Sequence, residues 1–453
     1  MTARAINRIY VKQLFGTYDY NLIPSDKAEN ADRLLILYGD NGSGKTTILK
    51  VLFYLLSPER GEGHKTELTK IPFSRFEVDF TTGDHLWLQR PENKLTGGYT
   101  LGLKMAKRAE KTCEFHDSDD GAIPGTKETT AFLEKLSKLN LALYFLSDDR
   151  TLSLAGIEKY YDGFSRREEM EEEIIYSSDF PTQISRRRRQ LSPEQRAQYL
   201  LISSIKRAEQ WIQSQAVRGA SHGESSVNTL YGDILSRIAN LPLDIQSAQS
   251  KNIIILEKRI ITLEKRSKTY AQYGLLPAFH GKDIIQILKT AADTHLTLLS
   301  SILTPYIESV EKKLDALEIL QRQIDALVGL INSFYSKKKL TYEIHDGFKI
   351  ISDDGKPILP QMLSSGERHL LLLFCNTIQA LEKPSIFIID EPEISLNIKW
   401  QRRLLSALRE CAGSNPVQYL FATHSFEILA QCRNNAIKLY SDSGLSNGLE
   451  EDN

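Results

Sequence analysis

Residues Gly39-Asp40-Asn41-Gly42-Ser43-Gly44-Lys45-Thr46 follow the spacing G-x-x-x-x-G-K-[ST]. Glycines at these places let successive backbone N–H groups turn inward as an anion nest, and a following helix adds its positive end. Lys45 then reaches the outer phosphates of a nucleoside triphosphate, and Thr46 offers its hydroxyl to Mg²⁺. Asn41, Gly42, Ser43, Gly44 and Thr47 complete the candidate phosphate-binding set. Much later, Ser385-Ile386-Phe387-Ile388-Ile389-Asp390-Glu391 is an apolar run closed by two acids. Adjacent carboxylates at the mouth of a buried strand repel each other unless a cation lies between them. Asp390 is the candidate metal ligand, directly or through water, and Glu391 the candidate group that polarises an attacking water. Glu393 is a further carboxylate, ranked below these.

Two more segments carry chemistry. Leu363-Ser364-Ser365-Gly366-Glu367-Arg368 precedes a long apolar helix, so Ser364, Ser365, Gly366 and Glu367 form a second candidate phosphate site at a helix start. The plain alternative is an N-cap at Ser364 or Ser365 with Glu367 in the first turn. Phe421-Ala422-Thr423-His424-Ser425 reads as a strand ending in a histidine.

The elements that must position these residues fall into an α/β, helical, α/β order. Ile9-Tyr10-Val11 and Tyr18 to Ile23 are strand-like around Gly16, and Leu34 to Tyr38 suits a buried strand. A helix over Thr46 to Leu56 ends at Ser57-Pro58. Phe76 to Phe80, Leu86 to Leu88 and Tyr99 to Leu103 form a meander, and Ala142 to Leu146 another buried strand. From Thr151 to Tyr335 the composition turns to Glu, Lys, Arg, Gln and Leu. Ile253, Leu256, Ile260 and Leu263 keep helical spacing. A longer seam runs Ile307, Val310, Leu314, Leu317, Gln321, Ile324, Val328, Ile331, Tyr335, with Thr304-Pro305 as its start and a length of roughly 45 Å. Strand alternation returns over Leu340 to Ile351, with turns at Asp346-Gly347 and Asp353-Asp354-Gly355. Helices are expected over Ser365 to Leu381 and Asn397 to Cys411, and strands over Ser385 to Ile389 and Gln418 to Ala422. The expected division is residues 1–150 and 340–453 as two halves of one α/β head, bracketing a helical insertion at 151–339.

The order phosphate loop, helical insertion, Ser364 segment, acidic strand, histidine resembles the ABC ATPase superfamily in its SMC, RecF and OLD-like branch. The resemblance covers about residues 1–150 and 340–453. It makes Leu363 to Arg368 the signature, Asp390-Glu391 the Walker B acids, Ile394 to Asn397 the D-loop and His424 the switch histidine. It implies an ABC-type head that binds ATP and Mg²⁺. It further implies that the signature of one subunit completes the phosphate site of another, so that hydrolysis needs a homo-oligomer. Lys45, Glu391 and His424 are then the catalytic candidates. Two departures stand out. The place of the Q-loop glutamine reads Tyr144-Phe145-Leu146-Ser147-Asp148-Asp149-Arg150. Asp149 joins Thr46 and Asp390 as candidate metal ligand there, with Asp148 as the alternative and Arg150 as a phosphate contact. Asn397 also stands where the commoner pattern has histidine.

Composition excludes some classes. With 57 Lys and Arg against 58 Asp and Glu, the net charge of −1 leaves no global footprint for nucleic acid or anionic membrane. Nucleic acid stays open only through Arg186 to Arg189, which follow the acidic run Glu168 to Glu173 and so read first as a solvated helix face. The scattered Cys113, Cys375, Cys411 and Cys432 show no metal-ligand spacing, and no signal-peptide or membrane span is legible. A reduced, cytoplasmic ATPase is the expectation. His116-Asp117 reads as surface loop. Only 29 residues follow His424, too few for the Toprim domain of OLD nucleases. Among families of this build the chain most resembles the stand-alone ATPases of bacterial anti-phage systems. The AriA family, ATPase subunits of the PARIS systems, is the nearest, and the Septu ATPases are the rival. That resemblance implies a homo-oligomeric scaffold holding a separate Toprim-type nuclease effector, released when a phage trigger protein is sensed. A RecF- or SMC-like clamp on DNA is the competing class, and a transporter ATPase a third.

Overall fold

The computed structural model describes residues 4–23, 34–60, 62–106, 108–117, 123, 125–156, 192–239, 249–291, 293–413 and 415–440, the side chains of 221–239 and of several other helix residues aside. The runs Arg186 to Arg189 and Glu168 to Glu173 lie outside the described residues. The chain forms two compact units, Met1–Leu200 with Ala380–Asn453, and Leu201–Gln379.

The first unit is mixed α/β. Strands β1 (Ile6–Leu14) and β2 (Tyr18–Leu22) are followed by β3 (Leu34–Gly39), then helices α1 (Lys45–Leu56) and α2 (His64–Lys70). Next come β4 (Arg75–Phe80), β5 (His85–Gln89), β6 (Tyr99–Lys104), β7 (Lys111–Phe115), α3 (Lys127–Leu136), β8 (Ala142–Leu146) and β9 (Leu152–Ala155). One six-stranded sheet is ordered β2-β1-β4-β5-β6-β7 and is antiparallel throughout. Its strands alternate, as Arg75–Phe80 does with every second residue buried, because one face meets the core and the other solvent.

The second sheet of this unit draws on both ends of the chain. Residues after 380 supply β13 (Ser385–Asp390), β14 (Val417–Thr423) and β15 (Ala436–Leu439), with α9 (Ile398–Ala412) and α10 (Phe426–Gln431) between them. The order is β15-β3-β14-β13-β8-β9, parallel except for β9. Strands β8, β13 and β14 are buried at every position, which explains their unbroken apolar runs. Buried Gln418 answers its own polarity: its side chain accepts from Ile6 N at 2.6 Å and donates to Ile6 O at 2.9 Å, tying β1 to β14. A single apolar core joins both sheets to α1 through Leu49, Leu52, Phe53, Phe76, Phe145 and Ile388. Arg90, 2 % exposed, sits inside this unit with no ion pair among the described residues: its guanidinium donates to the carbonyls of Leu68, Ile71, Phe73 and Gly97 and lies over the Phe73 ring.

The second unit holds α4, which begins before it at Pro193 and runs to Ala239, α5 (Gln249–Ala271), α6 (Gly281–Thr290), α7 (Asp293–Phe334) and α8 (Ser365–Gln379). The three-stranded sheet β10 (Lys338–Glu343), β11 (Gly347–Ser352), β12 (Pro357–Ile358) completes it. The expected turns fall at Gly347 and Gly355, both at positive φ. Helix α7 packs on α5, with Leu256, Ile260 and Leu263 buried on one side and Ile307, Leu314, Leu317, Ile324 and Ile331 on the other. The seam is wider than read from the sequence, because Leu320, Leu327 and Phe334 are buried too and Val310, Gln321 and Val328 only partly. Pro305 does not open α7. The helix starts at Asp293 and passes through the proline, so its 42 residues span about 63 Å. Among the described residues no helix is long and apolar enough to cross a membrane.

Candidate functional site

The phosphate loop leaves β3 and enters α1 through residues only glycine fits. Gly39 has φ 152°, and a Cβ there would lie 2.3 Å from the backbone oxygen of Leu439 on β15. Gly44, the residue before α1, has φ 91°, and its Cβ would meet Leu14 Cδ2 at 2.5 Å. The loop is backed by Tyr20, whose hydroxyl lies 2.8 Å from Ser43 O and 3.0 Å from Tyr440 O; burial pushes that phenol up to about 12. Lys45 is 5 % exposed and donates to Gly39 O at 2.8 Å and Asp40 O at 3.0 Å. Burial lowers its pKa, while Glu391, Asp390, Asp40 and Glu393 hold it up.

Asp390 ends β13, beside β14 and β8. It is 2 % exposed, and neither carboxylate oxygen has a hydrogen-bond partner of ordinary geometry. Burial raises its pKa to about 6; the Thr46 hydroxyl pulls the other way, and Asp148 adds to the rise. Orphaned buried carboxylate oxygens next to Thr46 and Asp148 suit a hard divalent cation, which takes oxygen ligands. Thr46 and Asp390 would hold Mg²⁺ there. Asp149 is placed differently from Asp148: its Oδ1 accepts from Thr151 N at 3.0 Å and from Ser147 Oγ, closing its own turn. Arg150, in that turn at φ 63°, donates to the Ser395 hydroxyl.

Glu391 follows at φ 49°, its N–H bonded to Ala422 O at 2.8 Å. Its carboxylate meets His424 Nε2 at 3.2 Å. Burial first, then Glu393 and Asp390, push Glu391 up to about 8. Burial, then Lys45, push His424 down. Glu393 does more than its rank in the sequence suggested: Oε1 accepts from Thr423 Oγ1 at 2.6 Å and from the N–H groups of His424 and Ser425, each at 2.8 Å. The signal was its position two residues from Glu391, with nothing in the sequence to say it would reach β14. Asn397 accepts from Trp400 N at 3.0 Å as the N-cap of α9, which accounts for asparagine at that place.

The Ser364 segment belongs to the second unit. Ser364 N and Oγ both donate to Glu367 Oε2 at 2.8 Å, and Ser364 Oγ lies 3.4 Å from Glu367 N, a capping box. Glu367 also accepts from Lys338 Nζ at 3.1 Å, and its pKa is lowered by the Ser364 and Lys338 contacts against its burial. Its carboxylate is thus turned onto Ser364 and Lys338 rather than outward as a phosphate contact. Ser365 and Gly366 open α8. His116 is exposed, its ring 3.1 Å from Glu114.

Lys45, Thr46, Asp390, Glu391 and His424 converge on one end of a parallel sheet, the arrangement of a nucleoside-triphosphate-hydrolysing P-loop site. The chain belongs to the AAA ATPase domain family, whose profile matches residues 6–429. In part of its length it is similar to ATP-binding proteins of ABC transporters. It is 34% identical over 70 residues to the uncharacterized ABC transporter ATP-binding protein YejF of Escherichia coli K12, covering 16% of this chain and 13% of that one. It is 26% identical over 102 residues to a putative ABC transporter ATP-binding protein of Clostridium acetobutylicum, covering 22% and 36%. The chain thus spans a small part of these curated relatives. The SMC head domain of Pyrococcus furiosus with an extended coiled coil, bound to the C-terminal domain of ScpA, aligns over 96% of this chain and 93% of its own at 12% identity and a TM-score of 0.35. The SMC head domain of Pyrococcus yayanosii with coiled coil and joint aligns over 96% and 95% at 12% and 0.34.

Proposed function

We propose that the chain hydrolyses ATP with Mg²⁺ and uses the cycle to hold and release a separate Toprim-type nuclease in anti-phage defence, as a homo-oligomeric scaffold of the AriA type that senses a phage trigger protein. The observation that carries the ATPase reading is the buried Asp390 carboxylate facing the Thr46 hydroxyl at the end of the glycine loop, with no hydrogen-bond partner of ordinary geometry for either oxygen. When bound, Mg²⁺ supplies charge that offsets the build-up on the phosphate oxygens. The loop N–H groups and Lys45 bind the phosphates. Glu391 accepts the proton of the attacking water, and His424 orients its carboxylate. A positive charge beside Asp390 would lower the Glu391 pKa and favour its basic form. Ser364, Ser365 and Gly366 are the groups proposed to complete the site of a second copy. The defence reading rests on the resemblance of Asp390 to Leu396 and of Leu363 to Arg368 to that group, and on the long helices α4, α5 and α7 as a surface for assembly.

Lys45→Ala should lose nucleotide affinity, whereas Glu391→Gln should bind ATP and turn over at least about 100-fold more slowly. Wild-type turnover in Glu391→Gln refutes the base assignment. For the partner, the tagged chain expressed with its genomic neighbours should bring down a stoichiometric nuclease. A lone dimer carrying DNA would refute the scaffold reading in favour of a RecF-like clamp.

A further inference from the structure

We infer that Glu393 is a positioning residue of the hydrolytic site, a clamp that holds the switch turn so that His424 meets Glu391. The inference rests on the ATPase reading above. Two turns must be held together for the 3.2 Å contact between His424 and Glu391 to exist. One follows β13 and contains Glu391 at φ 49° and Ser395 at φ 65°. It is closed by Ile394 N to Glu391 O at 3.1 Å and Leu396 N to Glu393 O at 2.9 Å. The other follows β14 and carries His424. A single oxygen, Glu393 Oε1, takes a hydroxyl and two consecutive N–H groups from Thr423, His424 and Ser425. Three hydrogen bonds on one atom leave the His424 backbone little freedom.

A second bridge runs in the same direction. Ser425 Oγ donates to Gln401 Oε1 at 2.8 Å, and Gln401 Nε2 donates to Leu396 O at 2.8 Å. Gln401 lies on α9, so the clamp is anchored on a rigid helix rather than on the turns alone. His424 itself is 41% exposed on its side chain and has little packing to hold it. Its position is set from behind, through its own N–H, by Glu393.

The test is a double-mutant cycle on the full chain, with turnover, ATP affinity and thermal midpoint measured for each variant. Glu393→Ala should lower kcat about 10- to 100-fold, the range expected for misplacing a catalytic group by an ångström, with ATP affinity within about threefold. Glu393→Gln keeps an acceptor oxygen and should recover most of that loss, to within about fivefold of wild type. Glu393→Ala combined with His424→Ala should be no slower than His424→Ala alone, because residues acting as a unit are not additive. Multiplicative losses in the double variant, or equal losses in the Gln and Ala variants, overturn the clamp and make Glu393 an independent participant. If Glu393→Ala proves poorly folded, the Gln variant and its own cycle with His424→Ala decide the matter on the same criteria. Turnover unaffected by Lys45→Ala refutes the ATPase reading itself, a result distinct from either outcome of the cycle.

Discussion

Asparagine at position 390 should make the metal-free protein more stable and the nucleotide-loaded protein less so. A carboxyl group raised from 3.8 to about 6 is disfavoured, once ionised, by on the order of 3 kcal/mol. The folded value is the higher one, so the folded state keeps its proton longer than the unfolded chain. Stability falls as pH rises from about 4 to about 6, and above that window the full penalty is present. Asp390→Asn removes the ionisation and keeps the shape. In EDTA at pH 7.5 the thermal midpoint of the first unit should rise by roughly 5–10 °C, and the gain should shrink towards pH 4. With Mg²⁺ and ATP at about 1,000 times the dissociation constant, the wild type should gain about 4.1 kcal/mol and the variant little, more than the roughly 3 kcal/mol penalty, so the order reverses. Calorimetry at pH 4.5 and 7.5, with and without Mg·ATP, reads all of this. A variant less stable than wild type in EDTA at pH 7.5, or an advantage independent of pH, would refute the claim that Asp390 is a buried charge awaiting a cation.

Arg90→Met should destabilise the first unit by at least about 3 kcal/mol, since four carbonyls, those of Leu68 and Phe73 buried, lose their donor at once; urea unfolding measures it. Asn397→Ala should cost about 1 kcal/mol as a lost helix cap, with ATP affinity unchanged; a large loss of affinity would show that Asn397 does more than cap α9.

Much of the chemistry was legible because it is local. The glycine spacing, the apolar run into Asp390-Glu391 and the strand ending at His424 each declare themselves within a few residues, and the strands they sit on are buried on both faces. What escaped was set by tertiary contact. Strand β7 and helix α3 are short and polar, and β15 carries four residues of weak pattern that matter because they flank β3. Pro305 looked like a helix start because a first-turn proline is common, yet α7 already begins at Asp293 and runs through it. Glu393 and Glu367 are alike in this respect. Each acidic side chain lies within a motif that suggests contact with ligand, and each is turned onto its own protein, where only the partner shows its role.

Strand β3, which launches the phosphate loop, lies between β14 and β15 and pairs with nothing else in its sheet. Between the end of β3 at Gly39 and the start of β14 at Val417 the ribosome must add nearly 380 residues. At about 5–20 residues per second that is an interval of roughly 20–75 s during which a complete loop sequence has emerged with no strand to hold it. The backbone oxygen that excludes a side chain at Gly39 arrives later still, with Leu439. Nucleotide binding is therefore a property the nascent chain acquires only after β14 and Leu439 have been added, so a product truncated before them carries the motif without the site.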